Sequence, residues 1–409
     1  MRWAASIDNS PTLEVALARG EESLSEQLGD QRPDLVLAFA TRDHQARWHE
    51  IPEALRQRFP DAAVVGCSAG GVLANGTELE DGPGLALCAA RLPGVERTPF
   101  HIDAEALEAL VGGSGDSGES ERDDLRARWL AAIGIAEGPD PLLMLFPDPF
   151  SWPGPEVLGS LDRAFPQGTV VGGLASGGAR PGEHRLFCDR STHHRGMVGL
   201  ALRGNLEVET IVAQGCRPVG APMFVTRRQA NIVYELDGRP AVEALQQLFT
   251  TLEPDDRARA RTSLLIGLSM HPQLEVHDQG DFLVRNLIGV DPSSGAVGIA
   301  AELHGHPVVQ FHLRDAQTAA SELHDLAAEH QRIHGERAPA VALLFSCLGR
   351  GEHLYGRTGH DSEVLREHLG ATLPLAGFFC NGEIGPIAGR TFMHGYTSSI
   401  LLLRPATMV

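Results

Sequence analysis

The sequence has 409 residues, enough for two or three domains of ordinary size. Hydrophobic residues make up 43% and charged residues 21%, which is the balance of a globular protein with a substantial core. The formal net charge of -19 repels nucleic-acid phosphates and anionic membrane surfaces, so neither is an expected partner.

The N-terminal segment and the cysteines indicate where the protein works. Residues 1–10 carry no apolar run behind a basic flank, and no stretch reaches the ~18 apolar residues of a membrane span. Six cysteines are scattered along the chain, a pattern typical of reduced thiols packed as small hydrophobic groups. The sequence therefore predicts a cytoplasmic protein.

Three segments of the chain show the same order of elements. From Leu35 the runs are LVLAF, IPEALRQRF, AVVGCSAGG and GLALCAARL. From Leu142 they are LLMLF, EVLGSLDRAF, TVVGGLASGG and GMVGLALRG, and from Val341 they are ALLFS, SEVLREHLG, LPLAGFFCNGE and YTSSILLL. Each segment predicts a strand, an amphipathic helix, a strand with a small-residue turn and a last strand. The predicted fold is α/β, with mixed sheets built from repeated β-α-β-β units and two pseudo-similar halves facing a cleft.

Other parts of the chain carry weaker signals. The polar, Gly/Ser-rich run over residues 111–124 predicts a mobile surface loop. Short β-like runs between Ser263 and Leu303 predict further strands, and TAASELHDLAAEHQRIHG predicts a helix that ends at Gly335.

Several of these motifs together resemble the FIST family. They are VVGCSAGGVL, VVGGLASGG, the junction RPVGAPMFVTRRQANIVYELDGRPAVEAL and the C-terminal AGFFCNGEIGPIAGRTFMHGYTSSILLL. The resemblance implies an N-terminal FIST domain over residues 30–225 and a C-terminal one over residues 226–405. It also implies a sensory, signal-transducing role in which a small ligand, an amino acid or small carboxylate, is bound and a separate protein partner carries the output.

Two small-residue turns follow apolar strands and are candidate ligand contacts. Cys67 and Ser68 lie in the first, and Gly173 and Ser176 lie in the second. Small residues leave backbone N–H groups free to meet an anion, although glycine also simply permits a tight turn. Neither turn has the lysine of a phosphate loop or the glycine spacing of a dinucleotide site, so no cofactor is expected.

The third segment supplies the remaining candidates. Cys347 and Arg350 follow the strand ALLF, where an arginine can clamp a carboxylate and a thiol can have a lowered pKa. Asn381 and Glu383 end the next strand and His394 follows, which is a common place for a ligand to meet an α/β sheet. The predicted ligand-binding residues are Cys67, Ser68, Gly173, Ser176, Cys347, Arg350, Asn381, Glu383 and His394.

Other functions remain open from sequence. A cysteine-dependent enzyme could use Cys347 or Cys67, with Cys347, His394 and Glu383 as a conceivable triad, but no established catalytic motif is present and an enzyme is not expected. A protein-binding scaffold without a metabolite is a second alternative, which a large exposed apolar patch would favour. The histidine pairs His193-His194, His304-x-His306 and His353 with His360 lack a metal-ligand frame, so no metal is expected.

Overall fold

The computed structural model describes residues 1–112, 119–270, 279–303, 308–335 and 337–406. The chain forms two compact units, each with its own hydrophobic core. Unit 1 comprises Met1–Ala213, Leu323–Met393 and Thr397–Val409, and unit 2 comprises Gln214–Glu322 and His394–Tyr396.

Repeat 1 opens unit 1 with a strand and a helix that precede the predicted β-α-β-β order. All seven residues of its first core strand are buried, because apolar clusters cover both faces of the sheet. A 3-10 helix at Arg42–Glu50 leads from that strand into the second helix. The elements are β1 (Arg2–Asp8), α1 (Leu13–Leu28), β2 (Leu35–Thr41), α2 (Ile51–Arg58), β3 (Ala63–Ala69), β4 (Gly71–Ala74), β5 (Thr77–Leu79) and β6 (Leu85–Arg91).

Repeat 2 follows the same plan with two helices after its first strand. The elements are β7 (Val95–Ile102), α3 (Ala104–Val111), α4 (Glu119–Ile133), β8 (Leu142–Pro147), α5 (Gly154–Ala164), β9 (Thr169–Gly173), β10 (Leu186–Cys188), β11 (Ser191–His193) and β12 (Met197–Gly204). The predicted loop over 111–124 is too long, because α4 already begins at Glu119 and buries Leu125, Trp129 and Ile133. Residues 113–118 lie outside the described residues.

Unit 2 begins where β13 (Glu207–Gln214) ends. Its strands pair in the order β14-β20-β17-β18-β19-β15-β16, and β14 also pairs with β15, so the sheet closes on itself. A 3-10 helix lies at Gln279–Asp281. The elements are β14 (Cys216–Gln229), β15 (Ile232–Leu236), β16 (Arg239–Pro240), α6 (Ala241–Thr251), α7 (Pro254–Ser263), β17 (Leu264–Ser269), β18 (Phe282–Asp291), β19 (Ala296–Ile299) and β20 (Val308–Arg314).

Repeat 3 consists of β13 and the chain that follows β20. Unit 2 is therefore an insertion between the first strand and the first helix of this repeat. The predicted helix ending near Gly335 is confirmed as α8. The elements are α8 (Ala316–His334), β21 (Val341–Cys347), α9 (Glu352–Tyr355), α10 (His360–Leu369), β22 (Leu375–Cys380), β23 (Glu383–Ile387), β24 (Arg390–His394) and β25 (Thr397–Arg404).

The three repeats have the same strand pairing, which confirms the predicted repeated unit. The first core strand is parallel to the next one in each case, as β2 is to β3, β8 to β9 and β21 to β22. It is also antiparallel to the last strand of its repeat, namely β6, β12 or β25. The α/β class with mixed sheets is thus observed.

Each repeat contributes a hairpin to the sheet of another repeat. Strand β4 of repeat 1 pairs with β22, β10 of repeat 2 pairs with β3, and β23 of repeat 3 pairs with β9. The exchange closes a cycle, since every repeat donates one hairpin and accepts one. The turns at the ends of β3, β9 and β22 are brought together in this way.

Equivalent residues of the three repeats meet in the core of unit 1. Phe39, Phe146 and Phe345 occupy the fifth position of β2, β8 and β21. The ring centroids of Phe39 and Phe146 lie 5.5 Å apart, and those of Phe146 and Phe345 lie 5.8 Å apart. These edge-on aromatic contacts join the three sheets at one point.

A glycine recurs in β3, β9 and β22 opposite the fourth residue of the neighbouring parallel strand, where the two strands come very close. A Cβ atom would lie 1.8 Å from the Ala38 carbonyl oxygen at Gly66, 2.0 Å from that of Leu145 at Gly172, and 1.8 Å from that of Leu344 at Gly377. No side chain fits at such distances, so these glycines permit the close approach of the strands.

Candidate ligand-binding site

The turns after β3 and β9 are fastened to each other by serine hydroxyls. Ser68 Oγ donates to the Ser176 carbonyl oxygen at 2.9 Å. Ser176 Oγ donates to the Phe379 carbonyl oxygen at 2.5 Å and accepts from the Gly70 N–H at 2.7 Å. Both serine side chains are fully buried. These hydroxyls therefore satisfy backbone groups of three chain segments and set the shape of the site.

The turn after β22 is held to the same place by Asn381. Its Nδ2 donates to the Ala175 carbonyl oxygen at 2.9 Å, and its backbone N–H donates to the Leu174 carbonyl oxygen at 3.2 Å. Leu174 returns a backbone hydrogen bond to Gly382 at 2.9 Å. All three small-residue turns thus belong to one hydrogen-bonded assembly.

Glu383 is fully buried beside this assembly. One carboxyl oxygen accepts from the Thr397 N–H at 3.1 Å, and the other lies 3.6 Å from the Cys380 thiol. Burial raises the pKa of Glu383, although the hydrogen bonds from Thr397, Cys380 and Cys347 act in the opposite direction. This carboxyl group can therefore carry a proton near neutral pH and act as a donor.

Arg350 faces a carboxylate of its own protein. Its Nε and Nη2 donate to Asp361 at 2.7 and 3.1 Å, and Nη2 also donates to the Tyr355 hydroxyl at 2.6 Å. Ser398 and His360 contribute further hydrogen bonds to Asp361. The two-point contact with a carboxylate that the sequence predicted for Arg350 is made here with Asp361, inside the protein.

A cavity of about 410 Å³ lies next to the turns. Repeat 1 contributes Gly70, Gly71, Glu80 and Asp81, and repeat 3 contributes Leu348, Glu352, His353 and Phe379. The Glu80 carboxylate accepts from the Glu352 N–H at 2.8 and 3.0 Å, so a residue of repeat 1 caps the start of α9. Three carboxylates and one imidazole are the ionisable groups of this lining, and they suit a cationic group.

Gly351 allows Glu80 to reach this position. Its φ is +65°, and a Cβ atom there would lie 2.4 Å from the Glu80 carboxylate. Burial raises the pKa of Glu80 to about 7, and the nearby carboxylates of Glu78, Glu352 and Asp81 act in the same direction. A bound cation would favour the ionised form of Glu80.

The structure brings most of the predicted ligand-binding residues to one region. The turn assembly contains four of them, all buried, namely Cys67, Ser68, Gly173 and Ser176. At Gly173 a Cβ atom would lie 2.8 Å from the Cys380 sulfur, so no side chain fits there. Asn381 and Glu383 adjoin that assembly, and Cys347 is partly exposed and bonds Glu383. His394 is buried at the end of β24 and belongs to unit 2.

The acidic lining of the cavity was not predicted from sequence, and none of the nine predicted ligand-binding residues belongs to that lining. Glu80 and Asp81 lie in the run TELEDG after the first repeat's turn, and this concentration of acidic residues was the available signal. His353 was considered only as a metal ligand with His360. The His360 ring instead stacks on Tyr355 at a centroid distance of 3.7 Å. His304-x-His306 lies outside the described residues.

In the candidate pair His193-His194, the structure places His193 against another histidine. The His193 ring stacks on His101 at a centroid distance of 3.6 Å, and burial lowers the pKa of His193 to about 4.

Among the described helices, none is both long and apolar enough to cross a membrane.

The chain belongs to the FIST family. It matches the FIST N domain over residues 34–239 and the FIST C domain over residues 241–386, which confirms the predicted tandem organisation. FIST domains are associated with small-ligand sensing and signal transduction.

Full-length relatives occur in mycobacteria. The "uncharacterized protein Rv0628c" of Mycobacterium tuberculosis is 36% identical over 402 residues, covering 98% of this chain and 99% of the relative. The "uncharacterized protein Mb0898c" of Mycobacterium bovis is 35% identical over 402 residues and covers 98% of each chain.

Two further similarities are partial or distant. Human F-box only protein 22 is 30% identical over 108 residues, covering 25% of each chain. A crystal structure of cyanuric acid hydrolase from A. caulinodans aligns with 99% of this chain and all of its own, at a TM-score of 0.33 and 10% identity. That score is too low for the hydrolase to inform the function of this chain.

Proposed function

We propose that this protein is a small-ligand sensor whose ligand is an amino acid or another small molecule bearing an ammonium group. The acidic cavity between repeats 1 and 3 is the observation that carries this proposal. Its volume of about 410 Å³ suits a small metabolite, and Glu80, Asp81 and Glu352 supply three carboxylates at its wall. A ligand with a carboxylate but no cation would be repelled there.

The surroundings of the cavity explain how binding could be transmitted. Gly70 and Gly71 line the cavity. The Gly70 N–H donates a hydrogen bond to the Ser176 hydroxyl, which in turn donates to the Phe379 carbonyl oxygen. A ligand that moves either glycine changes hydrogen bonds shared by all three repeats. In the proposed mechanism, ligand binding thereby shifts the population between two conformations of the turn assembly, and a separate protein partner recognises the favoured one.

Thermal unfolding of the full chain against matched ligand series tests the proposal. Each amino acid is compared with the amine that lacks its carboxylate and the acid that lacks its amino group. A ligand present at 100 times its Kd adds roughly 2.7 kcal/mol of stability, or about 2–4 °C in Tm. The amino acid and the amine are expected to raise Tm, and the acid is not.

Substitutions in the cavity locate the effect. Glu80→Gln and Glu352→Gln are expected to abolish the rise in Tm, whereas Glu108→Gln, the same change at an exposed position of α3, keeps it. Stabilisation by the acids alone, or an unchanged response in Glu80→Gln, would contradict the proposal.

A protein-binding scaffold is a second candidate, favoured by an apolar groove on unit 2. Ile232, Ile288 and Val290 are 38%, 59% and 47% exposed and line a groove of about 510 Å³. A photo-crosslinking residue at position 288 is expected to give a discrete adduct in cells that one at position 108 does not. Equal labelling from both positions would count against the scaffold.

The cysteine-dependent enzyme has less support. Cys67 is fully buried, and burial raises the pKa of its thiol well above the usual range. Cys347 is partly exposed, but its thiol is engaged in a hydrogen bond with the buried Glu383 carboxyl group.

A further inference from the structure

Two histidines extend the buried stripe of α8 towards an acidic residue of β13. Leu323 and Ala327 of this helix are fully buried against the sheet of repeat 3. His330 and His334 follow at the next helical positions on the same face, four residues apart, so their rings lie one above the other. Glu209 lies two residues before the buried Ile211 on β13, which places its side chain on the same face of the strand.

The three side chains converge on one point. His330 Nε2 lies 2.5 Å from one Glu209 carboxylate oxygen, and His334 Nδ1 lies 3.1 Å from the other. One ligand atom from each of the three residues lies within 4.8 Å of the other two. The side chain of His330 is 8% exposed and that of His334 is 34% exposed, so the site is partly sheltered but reachable.

A small cavity gives solvent access to this cluster. It has a volume of about 150 Å³, and residues at and just after the ends of α8 and α10 line it, among them His330, His334, Glu367 and His368. That volume accommodates several water molecules. An ion can therefore enter and keep a water ligand.

We propose that Glu209, His330 and His334 bind one divalent transition-metal ion of the zinc type, with water from the cavity as a further ligand. Two imidazoles and one carboxylate with an open position form a well-established Zn²⁺ ligand set. Metal–nitrogen bonds of about 2.0–2.1 Å in a tetrahedral site separate ligand atoms by about 3.3 Å. The 3.1 Å between His334 Nδ1 and Glu209 is close to that value, whereas the 2.5 Å between His330 Nε2 and Glu209 has to lengthen for an ion to bind between them.

The surroundings orient the carboxylate. The Arg404 guanidinium donates hydrogen bonds to both acidic residues of β13. Its Nη2 donates to Glu209, and its Nε donates to Glu207 at 3.0 Å. Arg404 therefore holds the Glu209 oxygen that faces His334, as an outer-shell partner of a metal ligand does, and the other oxygen, which faces His330, is the one offered to the metal.

The competing interpretation is a purely structural contact between His330 and Glu209 that binds no ion. A second cluster, His324 with Glu367 and His368, is more exposed and offers another possible location for an ion. Both alternatives are separated from the proposal by direct binding measurements.

The test uses the full chain after dialysis against a chelator. Isothermal titration with Zn²⁺ and visible absorption on adding Co²⁺ are expected to show one equivalent bound, with the intense bands of a four-coordinate site. His334→Ala and Glu209→Gln are each expected to weaken binding at least about tenfold, since even outer-shell changes cost that much.

Two control variants make the result specific. The variant His324→Ala, which removes a ligand of the second cluster, and the exposed His49→Ala are expected to bind like the wild type. Circular dichroism and Tm without metal show whether each variant is folded, and the Co²⁺ spectrum of the wild type requires no variant. Absence of saturable binding, unchanged affinity in His334→Ala and Glu209→Gln, or loss only in His324→Ala would each overturn the proposal.

Discussion

The Arg350 guanidinium and the Asp361 carboxylate form a two-point ion pair with neither side chain exposed by more than 3%. Such a pair is expensive to break, because the remaining charge stays buried without compensation. Burial alone would raise the pKa of Asp361, but Arg350, His360 and Ser398 hold it well below its usual range.

Removing Arg350 is therefore expected to cost about 3–5 kcal/mol in the free energy of unfolding. The measurement is urea denaturation of Arg350→Ala at pH 7. Arg357→Ala is the matched control, since Arg357 pairs with Glu363 at the surface, where about 0–1 kcal/mol is expected. Equal losses in the two variants would show that the buried pair contributes no more than an exposed one.

Acidification gives a second measure of the same pair. A carboxyl group with a lowered pKa in the folded state contributes stability above its unfolded pKa, and this contribution is lost as the pH falls. The wild type is therefore expected to lose stability more steeply than Asp361→Asn below about pH 4. Parallel curves for the two proteins in that range would contradict the assignment.

Glu80 is expected to show the opposite dependence on pH. Its folded pKa of about 7 lies above the unfolded value, so the unfolded state releases its proton first as the pH rises. Glu80→Gln is therefore expected to gain stability relative to the wild type between pH 5 and pH 8. Glu53→Gln is the control and should show no trend, because Arg190 lowers the pKa of Glu53 and keeps it ionised throughout.

Ser176 is expected to be essential to the turn assembly. Ser176→Ala leaves the Gly70 N–H and the Phe379 carbonyl oxygen without this hydroxyl, at a cost of about 2–4 kcal/mol. Ser25→Ala, at an exposed position of α1, should stay within about 0.5 kcal/mol of the wild type. Chemical denaturation compares the two, and similar values would mean that solvent readily replaces the hydroxyl.

The recurring glycines make a sharp prediction about the repeats. Gly66→Ala and Gly377→Ala each place a Cβ atom 1.8 Å from a carbonyl oxygen of the neighbouring strand, so both variants are expected to fail to accumulate as folded protein. Gly159→Ala in α5 meets nothing within 4 Å and should be neutral or stabilising by up to about 1 kcal/mol. Soluble yield and Tm check this, and a folded Gly66→Ala protein would refute the close strand approach.

The repeated unit could be predicted from sequence because its signals are local. A strand such as LVLAF, a helix and a small-residue turn each lie within about ten residues, and the same order appears three times. The insertion of unit 2 between β13 and α8 left no comparable signal in the sequence. The segment before it reads as an ordinary strand, and the segment after it reads as an ordinary helix.

The candidate site could be predicted only in part. Asn381 and Glu383 were singled out because polar residues at a strand end stand out, and they lie in or beside the turn assembly and not in the lining of the cavity. The cavity was not predicted, because Glu80 and Glu352 are 272 residues apart in the sequence. They meet only when the hairpin of one repeat joins the sheet of another. The pairing partner of an edge strand is decided by tertiary packing, which periodicity does not report.

The hairpin exchange has a consequence for the synthesis of this protein on the ribosome. Strand β9 is completed by β23, and β4 waits for β22, so two sheets begun early in translation stay unfinished until the last tenth of the chain has emerged. Domains usually fold in the order in which they are made, but unit 1 cannot. Until β22 and β23 have been made, the open strand edges are free to pair with other chains, which would favour aggregation of a nascent chain that lacks them.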